Sequence, residues 1–572
     1  HAYLSSIVTY FEVKKALEDF RMLDENRKLF LCFSAFLAVK RHHSNLEDVS
    51  FEAIFDEEDL KVIMRQLDSI DEKKLSILSE NLSENGLPEP LNIENIKNEA
   101  EQFKSEIRAE RRKMRSIVSD PGIERYLLNN LIFSSLIDAD ILDVTIGKDI
   151  GRNTISLTSD LVNNYKKSFI LDDLLIDGLR EKAYEEILNQ NLKLNNRILS
   201  INLPTGLGKT LSTFAFAFNL RDRISQEKGY LPRIIYSLPF LSIVDQNFDV
   251  LQKVFSANNI NIDSSLALEH HHLAELCYIK EDDEIEAKDS KILIEGWNSE
   301  IIITTFVQLF YSLFSNRKNA LRKFHRFGGS IIILDEVQSV PFKYWKLLNI
   351  FLKEIVSHFN SYIILVTATE PLIFEKSDVK PLTASDEYFE QMDRISLEVD
   401  FNQQTLENFI PILTIDSNKR YLFIMNTIYA TKLCYKLLKD KLGTNEEIVF
   451  LSSHVTPYER MERINELKEK NIKFAVTTQL VEAGVDIDFD IVYRDFAPLD
   501  SIVQASGRCN RNWNDKGKVY VVNLVDERKP FSSYIYDAVL LNTTRNILQK
   551  SSSYNEVKLC KLVNEYYSVL QA

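Results

Sequence analysis

The chain has 572 residues, 45% apolar and 27% charged, the composition of an ordinary soluble globular protein and too long for one compact core; about three or four domains are expected. No apolar run approaches the roughly 20 residues a membrane span needs, so no membrane partner is expected. The net charge of −15 argues against a broadly basic nucleic-acid coat but leaves room for a local basic channel, because phosphate binding depends on where cations sit.

Cys32, Cys277, Cys434, Cys509 and Cys560 are scattered, odd in number and never spaced Cys-x-x-Cys; this fits a reducing cytoplasm and gives no zinc site. The sequence starts at His1 without a methionine and ends at Ala572 within an apolar, helix-like stretch. Both ends are expected to continue in a longer protein.

Residues 1 to about 165 read mainly as helix, with apolar spacing near 3.6, as in Lys28 to Val39 and Ile123 to Leu142. Ser83 to Pro90 reads as a loop. From Lys104 to Arg115, six cations face only Glu106 and Glu110; a solvated helix face is the simplest account. From about 166, short apolar strands alternate with helical stretches, which implies a parallel sheet covered by helices. The first series is Arg197–Leu203, Arg233–Leu238, Glu300–Thr304, Ser330–Leu334 and Tyr362–Thr367. The second is Arg420–Met425, Glu447–Leu451, Phe474–Thr477, Ile491–Arg494 and Lys518–Val522. The acidic segment Glu281 to Glu286 reads as a solvated loop, and Asp386 to Gln404, without a strong pattern, as the connection between the two series.

Leu203-Pro204-Thr205-Gly206-Leu207-Gly208-Lys209-Thr210 lies between an apolar strand and an apolar helix, the setting of a phosphate-binding loop. Gly206 and Gly208 let backbone N–H groups approach phosphate oxygens, and the following helix N-terminus adds a favourable dipole. Lys209 can reach the β- and γ-phosphates, with the Thr210 hydroxyl on Mg²⁺. Leu203 stands where the strict pattern has glycine, a Pro-Thr-Gly opening associated with helicases. The chain is therefore expected to bind ATP.

Ile331 to Asp335 is an apolar strand ending in Asp335-Glu336, which delivers Asp335 to the metal and Glu336 to the attacking water. Thr367-Ala368-Thr369, at another strand end, suits a hydroxyl relay of nucleotide state. In the second series, Val476 to Asp488 reads as a strand, a polar turn and Gly484, followed by Asp486. Gln504-Ala505-Ser506-Gly507-Arg508-Cys509-Asn510-Arg511 places Arg508 and Arg511 three apart, on one helix face, as fingers for a γ-phosphate.

These motifs, in this order across two βα series, resemble superfamily 2 helicases. The resemblance implies two RecA-like lobes around ATP, with a nucleic-acid strand crossing both. Candidate strand contacts are Pro239 and Ser242, Thr304 and Thr305, Asn426 and Thr427, and Thr478 and Gln479. The family's adenine-reading glutamine is not visible near Arg180-Glu181-Lys182-Ala183.

Leu238 to Asn247, Asp335-Glu336-Val337-Gln338, Glu269-His270-His271-His272 and Gln479 to Asp488 together look like the CRISPR-associated helicase–nuclease of type I interference systems. A structural or strand-contact role is expected for His270 to His272, since no spaced partner ligands accompany them. The resemblance implies an all-α HD-type nuclease over 1–165, RecA-like lobes over 166–385 and 386–545, and the start of a C-terminal helical region over 546–572. It also implies 3′→5′ translocation on single-stranded DNA, degradation of foreign DNA and recruitment by a crRNA-guided Cascade surveillance complex. The nucleotide would be held by Thr205, Gly206, Gly208, Lys209, Thr210, Gly484, Asp486 and Gln504. In the HD part, His1, the His42-His43 doublet and Asp140 match metal ligands, with Asp138 an alternative to Asp140. A first His and a His-Asp doublet would lie before residue 1. Imidazole and carboxylate donors suit Mn, Co, Ni or Fe. The rival reading is a superfamily 2 repair or RNA helicase with a purely structural helical N-terminus.

Overall fold

The computed structural model describes residues 2–84, 91–118, 122–147, 151–169, 175–271, 279–280, 283–284, 287–369, 373–443, 447–469, 472–482, 485, 487–511, 513 and 516–571. They form a helical N-terminal region and two parallel-sheet α/β domains.

The N-terminal region comprises α1 (Ala2–Glu18), α2 (Glu25–Arg41), α3 (Val49–Glu52), α4 (Glu57–Asp68), α5 (Glu72–Glu84), α6 (Ile93–Val118) and α7 (Ile123–Thr145). Asp24 caps α2 by accepting from the Arg27 amide, and Asp56 opens α4 with a reciprocal capping box. On α6, Ile96, Ala100, Phe103, Ile107 and Met114 are buried at helical spacing. Phe103 stacks on Phe36 of α2 at 5.4 Å and meets Tyr10 of α1 edge-on at 5.3 Å. The opposite face of α6 carries the basic run, where Lys104 pairs with Glu57 and Lys113 with Glu110 at 3.2 Å. It is a solvated face, as its charge pattern indicates.

The first sheet uses β1 (Ile198–Asn202), β2 (Ile234–Leu238), β3 (Ala267–His270), β6 (Ile301–Thr305), β7 (Ile331–Asp335), β8 (Tyr362–Thr367) and β9 (Lys380–Pro381); β4 (Ile279–Lys280) and β5 (Asp283–Glu284) form a separate small hairpin. Within the segment expected as an acidic loop, residues 281, 282, 285 and 286 lie outside the described residues. Strand order is β3-β6-β2-β7-β8-β1-β9, all parallel. Around it pack α8 (Ser159–Lys166), α9 (Leu175–Leu188), α10 (Lys209–Lys228) and α11 (Leu241–Ser256). Its central strands are buried on both faces, which is why they read as unbroken apolar runs.

The second sheet runs β12 (Ile448–Leu451), β13 (Phe474–Thr478), β11 (Tyr421–Met425), β14 (Ile491–Asp495), β15 (Gly517–Leu524), β10 (Ile395–Gln404) and β16 (Ser553–Asn555). Two expectations are corrected here. Asp386 to Gln404 is no mere connection: it holds the helix Ser385–Gln391 and β10, which pairs in parallel with β15. Its alternation of Ile395, Leu397 and Val399 with Ser396, Glu398 and Asp400 is that of a strand with one buried face. The segment 546–572, expected to begin a C-terminal helical region, does carry the helix Glu556–Gln571, but its β16 pairs antiparallel with β10 and so belongs to this sheet.

Helix α7 joins the N-terminal region to the first α/β domain. Leu127, Phe133 and Ile137 share a core with Phe324 and Phe327. Beside them Asp138 accepts from Arg322 Nε at 2.8 Å and Arg326 at 2.9 Å, with Asp138 and Arg322 almost wholly buried. Two residues on, Asp140 turns outward on a different face.

Because Asp138 neutralises buried guanidinium groups, Asp138→Ala is expected to destabilise the fold by about 3–5 kcal/mol in chemical denaturation. Asp140→Asn, at a partly exposed position, is expected to change stability by less than about 0.5 kcal/mol. Equal effects of the two would contradict this assignment.

Candidate nucleotide site and metal cluster

The loop between β1 and α10 is held at its start by the Leu203 amide, which donates to the Thr367 carbonyl at 3.1 Å. Gly206 (φ 94°) and Gly208 (φ 72°) lie in the left-handed region, so the loop curls with Gly208 as N-cap of α10. Lys209 Nζ lies 3.4 Å from the Leu203 carbonyl and 3.9 Å from Glu336 Oε1. Arg180 Nε donates to the Gly206 carbonyl at 2.8 Å while its NH1 pairs with Asp177 at 2.8 Å. The sequence reading missed Arg180 because it looked to that stretch for a glutamine.

β7 carries Asp335 to the cavity floor. Its carboxylate accepts from Tyr236 Oη at 2.8 Å and from the Glu336 amide at 2.8 Å. Burial, then the Glu336 charge, pushes the Asp335 carboxyl up to about 7. Glu336 has φ 54°, a conformation that costs a non-glycine residue on the order of 1–3 kcal/mol and aims its side chain across the loop mouth. Gln338 Nε2 donates to Glu336, Thr367 Oγ1 to Gln338 Oε1 at 2.6 Å, and the Thr369 amide to Thr367 Oγ1 at 2.9 Å. The Thr-Ala-Thr strand end is thus wired to the acidic pair.

Arg508 and Arg511 come to the same cavity from the second α/β domain. It measures about 850 Å³ and is lined by the residues of the phosphate loop, including Thr205 and Thr210, and by Asp335 and Glu336. Arg508 Nε donates to the Val481 carbonyl at 2.7 Å and NH2 to the Glu482 carbonyl at 2.9 Å. The Arg511 amide donates to Asp488 at 2.7 Å. The two arginines do not share a helix face. The helix Leu499–Ser506 ends before Gly507, and Asn510 at φ 48° turns the chain so that both face the cavity. A Cβ on Gly507 would stand 2.5 Å from Thr205 Oγ1, so glycine is what permits this turn to lie against the phosphate loop.

Gln504 is placed differently from its expected role. It lines a narrow seam with Pro204, Thr205, Ala368 and Thr369 instead of the large cavity. His1, Gly484 and Asp486 lie outside the described residues, as does His272. An aromatic wall of Tyr165, Phe169 and Tyr184 closes one side of the cavity, with Lys166 Nζ 3.4 Å from the Tyr184 ring centre.

Several proposed strand contacts are withdrawn into the fold. Thr304 is fully buried and donates to the His270 carbonyl at 2.7 Å; Thr305 caps the following helix by accepting from the Gln308 amide. Asn426 is buried, donating to Asp495 at 2.7 Å and to the Phe496 carbonyl at 2.8 Å, and Thr427 caps the next helix. Thr478 is buried, whereas Pro239, Ser242 and Gln479 keep partial exposure.

In the helical region, His42 follows the last turn of α2 and His43 stands beside it, ring centres 3.7 Å apart. Potential ligand atoms of His42, His43 and Asp140 all lie within 4.8 Å of one another. His42 Nδ1 meets the Val39 carbonyl at 2.6 Å, which fixes the tautomer with Nε2 available as a donor to metal. Asp138, the alternative ligand, is committed to Arg322 and Arg326. A cavity of about 680 Å³ borders His43 and carries Arg317, Lys318 and Lys323. Burial lowers the Lys323 ammonium to about 8. His270 is buried, accepting from Trp297 Nε1 at 3.1 Å, a structural role as expected. His271, contrary to expectation, has spaced partners: its Nε2 lies 3.1 Å from both Asp245 and Glu269.

Residues 179–375 match the family described as DEAD/DEAH box helicase, and residues 417–514 the family described as CRISPR-associated nuclease/helicase Cas3, C-terminal. These two matches, together with the relatives below, support a CRISPR-associated superfamily 2 helicase. It is 25% identical over 436 residues to the CRISPR-associated nuclease/helicase Cas3 of Haloferax volcanii, covering 58% of this chain and 46% of that protein. To the CRISPR-associated endonuclease/helicase Cas3 of Escherichia coli K12 it is 22% identical over 409 residues, covering 62% and 45%. The chain thus spans about half the length of these relatives. In fold it is similar to T. fusca Cas3 in crystal structures with ATP (TM-score 0.63, 16% identity, 99% of this chain and 70% of that one) and with AMPPNP (TM-score 0.64, 16% identity, 98% and 70%). Among the described residues of this Cas3-like chain, no helix is long and apolar enough to cross a membrane.

The raised Asp335 pKa predicts a pH dependence. From the ordinary value of 3.8 up to about 7 the folded state holds a proton that the unfolded state has lost. The stability this group contributes is therefore complete below that range and lost as pH rises through about 7. In chelator and without nucleotide, Asp335→Asn is expected to melt higher than the parent at about pH 8, with the gap narrowing as pH falls toward 5 and closing only below about 3.8. A gap independent of pH would refute the linkage.

Proposed function

We propose that the chain is an ATP-driven, 3′→5′ translocase on single-stranded DNA joined to a metal-dependent HD-type nuclease. It acts in the cytoplasm in type I CRISPR interference, degrading foreign DNA after recruitment by a crRNA-guided Cascade complex. One observation carries the motor reading: Lys209, Asp335 and Glu336 from one lobe and Arg508 and Arg511 from the other line a single cavity.

The nucleotide's phosphates lie against the loop amides and the N-terminus of α10, where backbone N–H groups and the helix dipole favour anions. Lys209 leaves its resting contacts with Leu203 and Glu336 to pair with the terminal phosphates. The Thr210 hydroxyl and Asp335 carboxylate, hard oxygen donors, fit Mg²⁺, which when bound draws charge from the transferring phosphoryl group. Glu336 orients the attacking water. Arg508 and Arg511 stabilise charge on the phosphoryl oxygens, an effect worth about 10³–10⁵ in rate in comparable enzymes. Tyr165, Phe169 and Tyr184 give the base a stacking wall in place of the missing glutamine.

The nuclease reading rests on the convergence of His42, His43 and Asp140 beside a cationic cavity. Their mixed nitrogen and oxygen donors suit Mn, Co, Ni or Fe, which would activate water against a phosphodiester. This juxtaposition favours it over the rival repair or RNA helicase with a structural N-terminus.

Lys209→Ala is expected to abolish DNA-stimulated ATP hydrolysis; undiminished turnover would overturn the motor assignment. In a full-length protein, replacing His42 and His43 with alanine is expected to remove Mn²⁺- or Co²⁺-dependent cleavage of single-stranded DNA while sparing ATPase activity. Cleavage that persists would return the helical region to a structural role, and equal stimulation by RNA would point to the rival helicase.

A further inference from the structure

Helix α11 has two working faces. Ile243, Gln246, Asn247 and Val250 line the nucleotide cavity, whereas Asp245 points away from it, toward the end of β3. There the edge strand is locked against its neighbour. His270 is buried against Trp297, and its carbonyl accepts from Thr304 Oγ1 of β6. Side chains alternate along a strand, so Glu269 and His271 project to the side opposite His270. Both meet Asp245.

His271 Nε2 lies 3.1 Å from Asp245 Oδ1 and 3.1 Å from Glu269 Oε1, and the ligand atoms of all three lie within 4.8 Å of one another. One ring nitrogen has at most one proton and cannot serve two carboxylates equally well. The 3.1 Å spacings exceed the roughly 2.7–2.9 Å of a charge-assisted N–H···O bond. They fall within the roughly 2.8–3.6 Å separating adjacent ligands around an ion bound at about 2.0–2.2 Å, in octahedral or tetrahedral geometry. Helix, strand and the buried His270 anchor place the three donors before any ion arrives.

We propose that Asp245, Glu269 and His271 form a second site for a divalent transition metal ion, distinct from the His42, His43 and Asp140 cluster. An imidazole nitrogen with two carboxylates selects Mn²⁺, Fe²⁺, Co²⁺ or Zn²⁺ over Mg²⁺ and Ca²⁺, which take oxygen ligands. The ion is structural in consequence: it cross-links α11, whose other face lines the nucleotide cavity, to the edge strand of the sheet. The site stands whether or not the chain hydrolyses ATP or cleaves DNA.

The test uses the chelator-stripped chain carrying His42→Ala and His43→Ala, titrated with Co²⁺ alone and read by its visible absorption and by calorimetry. One equivalent is expected to bind and to raise the melting temperature. Adding His271→Gln or, separately, Asp245→Asn is expected to weaken that binding at least about 100-fold and to remove the thermal shift. The two substitutions give independent chances of a folded variant, with circular dichroism as the check. No Co²⁺ binding by the His42/His43 variant overturns the proposal, as does binding that neither further substitution weakens.

Discussion

A buried guanidinium ties the two lobes together. Arg394, at the threshold of β10, donates from NH1 to the Thr205 carbonyl of the phosphate loop at 3.1 Å, and its Nε and NH2 engage Glu556 of the last helix. Its own carbonyl accepts from Asn510 Nδ2 at 3.0 Å and from the Gly517 amide at 2.9 Å. A single residue therefore ties together the phosphate loop, the arginine turn, the β15 strand and the last helix. A buried charge of this kind is held in place by the cost of stranding it, about 3–5 kcal/mol when one partner is removed. Since Arg394 bonds a main-chain carbonyl, it responds to the path of the loop as well as to its side chains.

A second line of contacts ends on the same helix. From Glu336 it passes through Gln338, Thr367 and Thr369 to Tyr567, whose hydroxyl is 3.4 Å from Thr369 Oγ1. Tyr567 is buried and packs on Trp345 at 5.4 Å. The helix Glu556–Gln571 is thus attached to the nucleotide site near both ends, through Glu556 and Arg394 at one and Tyr567 and Thr369 at the other. This gives physical content to the hydroxyl-rich strand end: Thr367 is a junction between an acid in the first lobe and a tyrosine sequentially far from it.

Much of the candidate nucleotide site was legible because its residues sit where a strand stops and the chain must turn. Buried parallel strands announce themselves as apolar runs, and the side chains just beyond them, Lys209, Asp335 and Glu336, are brought together by sheet order alone. Features that depend on a side chain's direction were not legible. β10 alternates polar and apolar residues because only one face is covered, so a search for unbroken runs passed over it. Thr304 and Asn426 sit at strand ends as Asp335 does, but their partners, the His270 carbonyl and Asp495, turn them inward. Arg508 and Arg511 reach one cavity but not from one helix face, since Gly507 and the left-handed Asn510 intervene. Asp138 and Asp140 differ by two positions, enough to point one carboxylate at buried arginines and the other at His42 and His43; sequence spacing does not say which face of α7 is which.

The orientation of Arg508 shows how the second lobe prepares its charge. Two main-chain carbonyls, of Val481 and Glu482, hold its guanidinium, while the Glu482 carboxylate is occupied by Arg494 at 2.6 Å and by the Ser501 hydroxyl at 2.5 Å. Arg494 is itself completely buried and also donates to Asn426 at 2.7 Å. Beneath it Asp495 accepts from Asn426, and burial raises its carboxyl to about 7. A deeper layer of paired charges thus fixes the Val481–Glu482 backbone, and that backbone in turn aims the arginine. The two carbonyl dipoles thus help to orient the Arg508 cation. In a chain whose net charge is −15, placing cations this way reconciles an acidic surface with a cavity suited to a triphosphate.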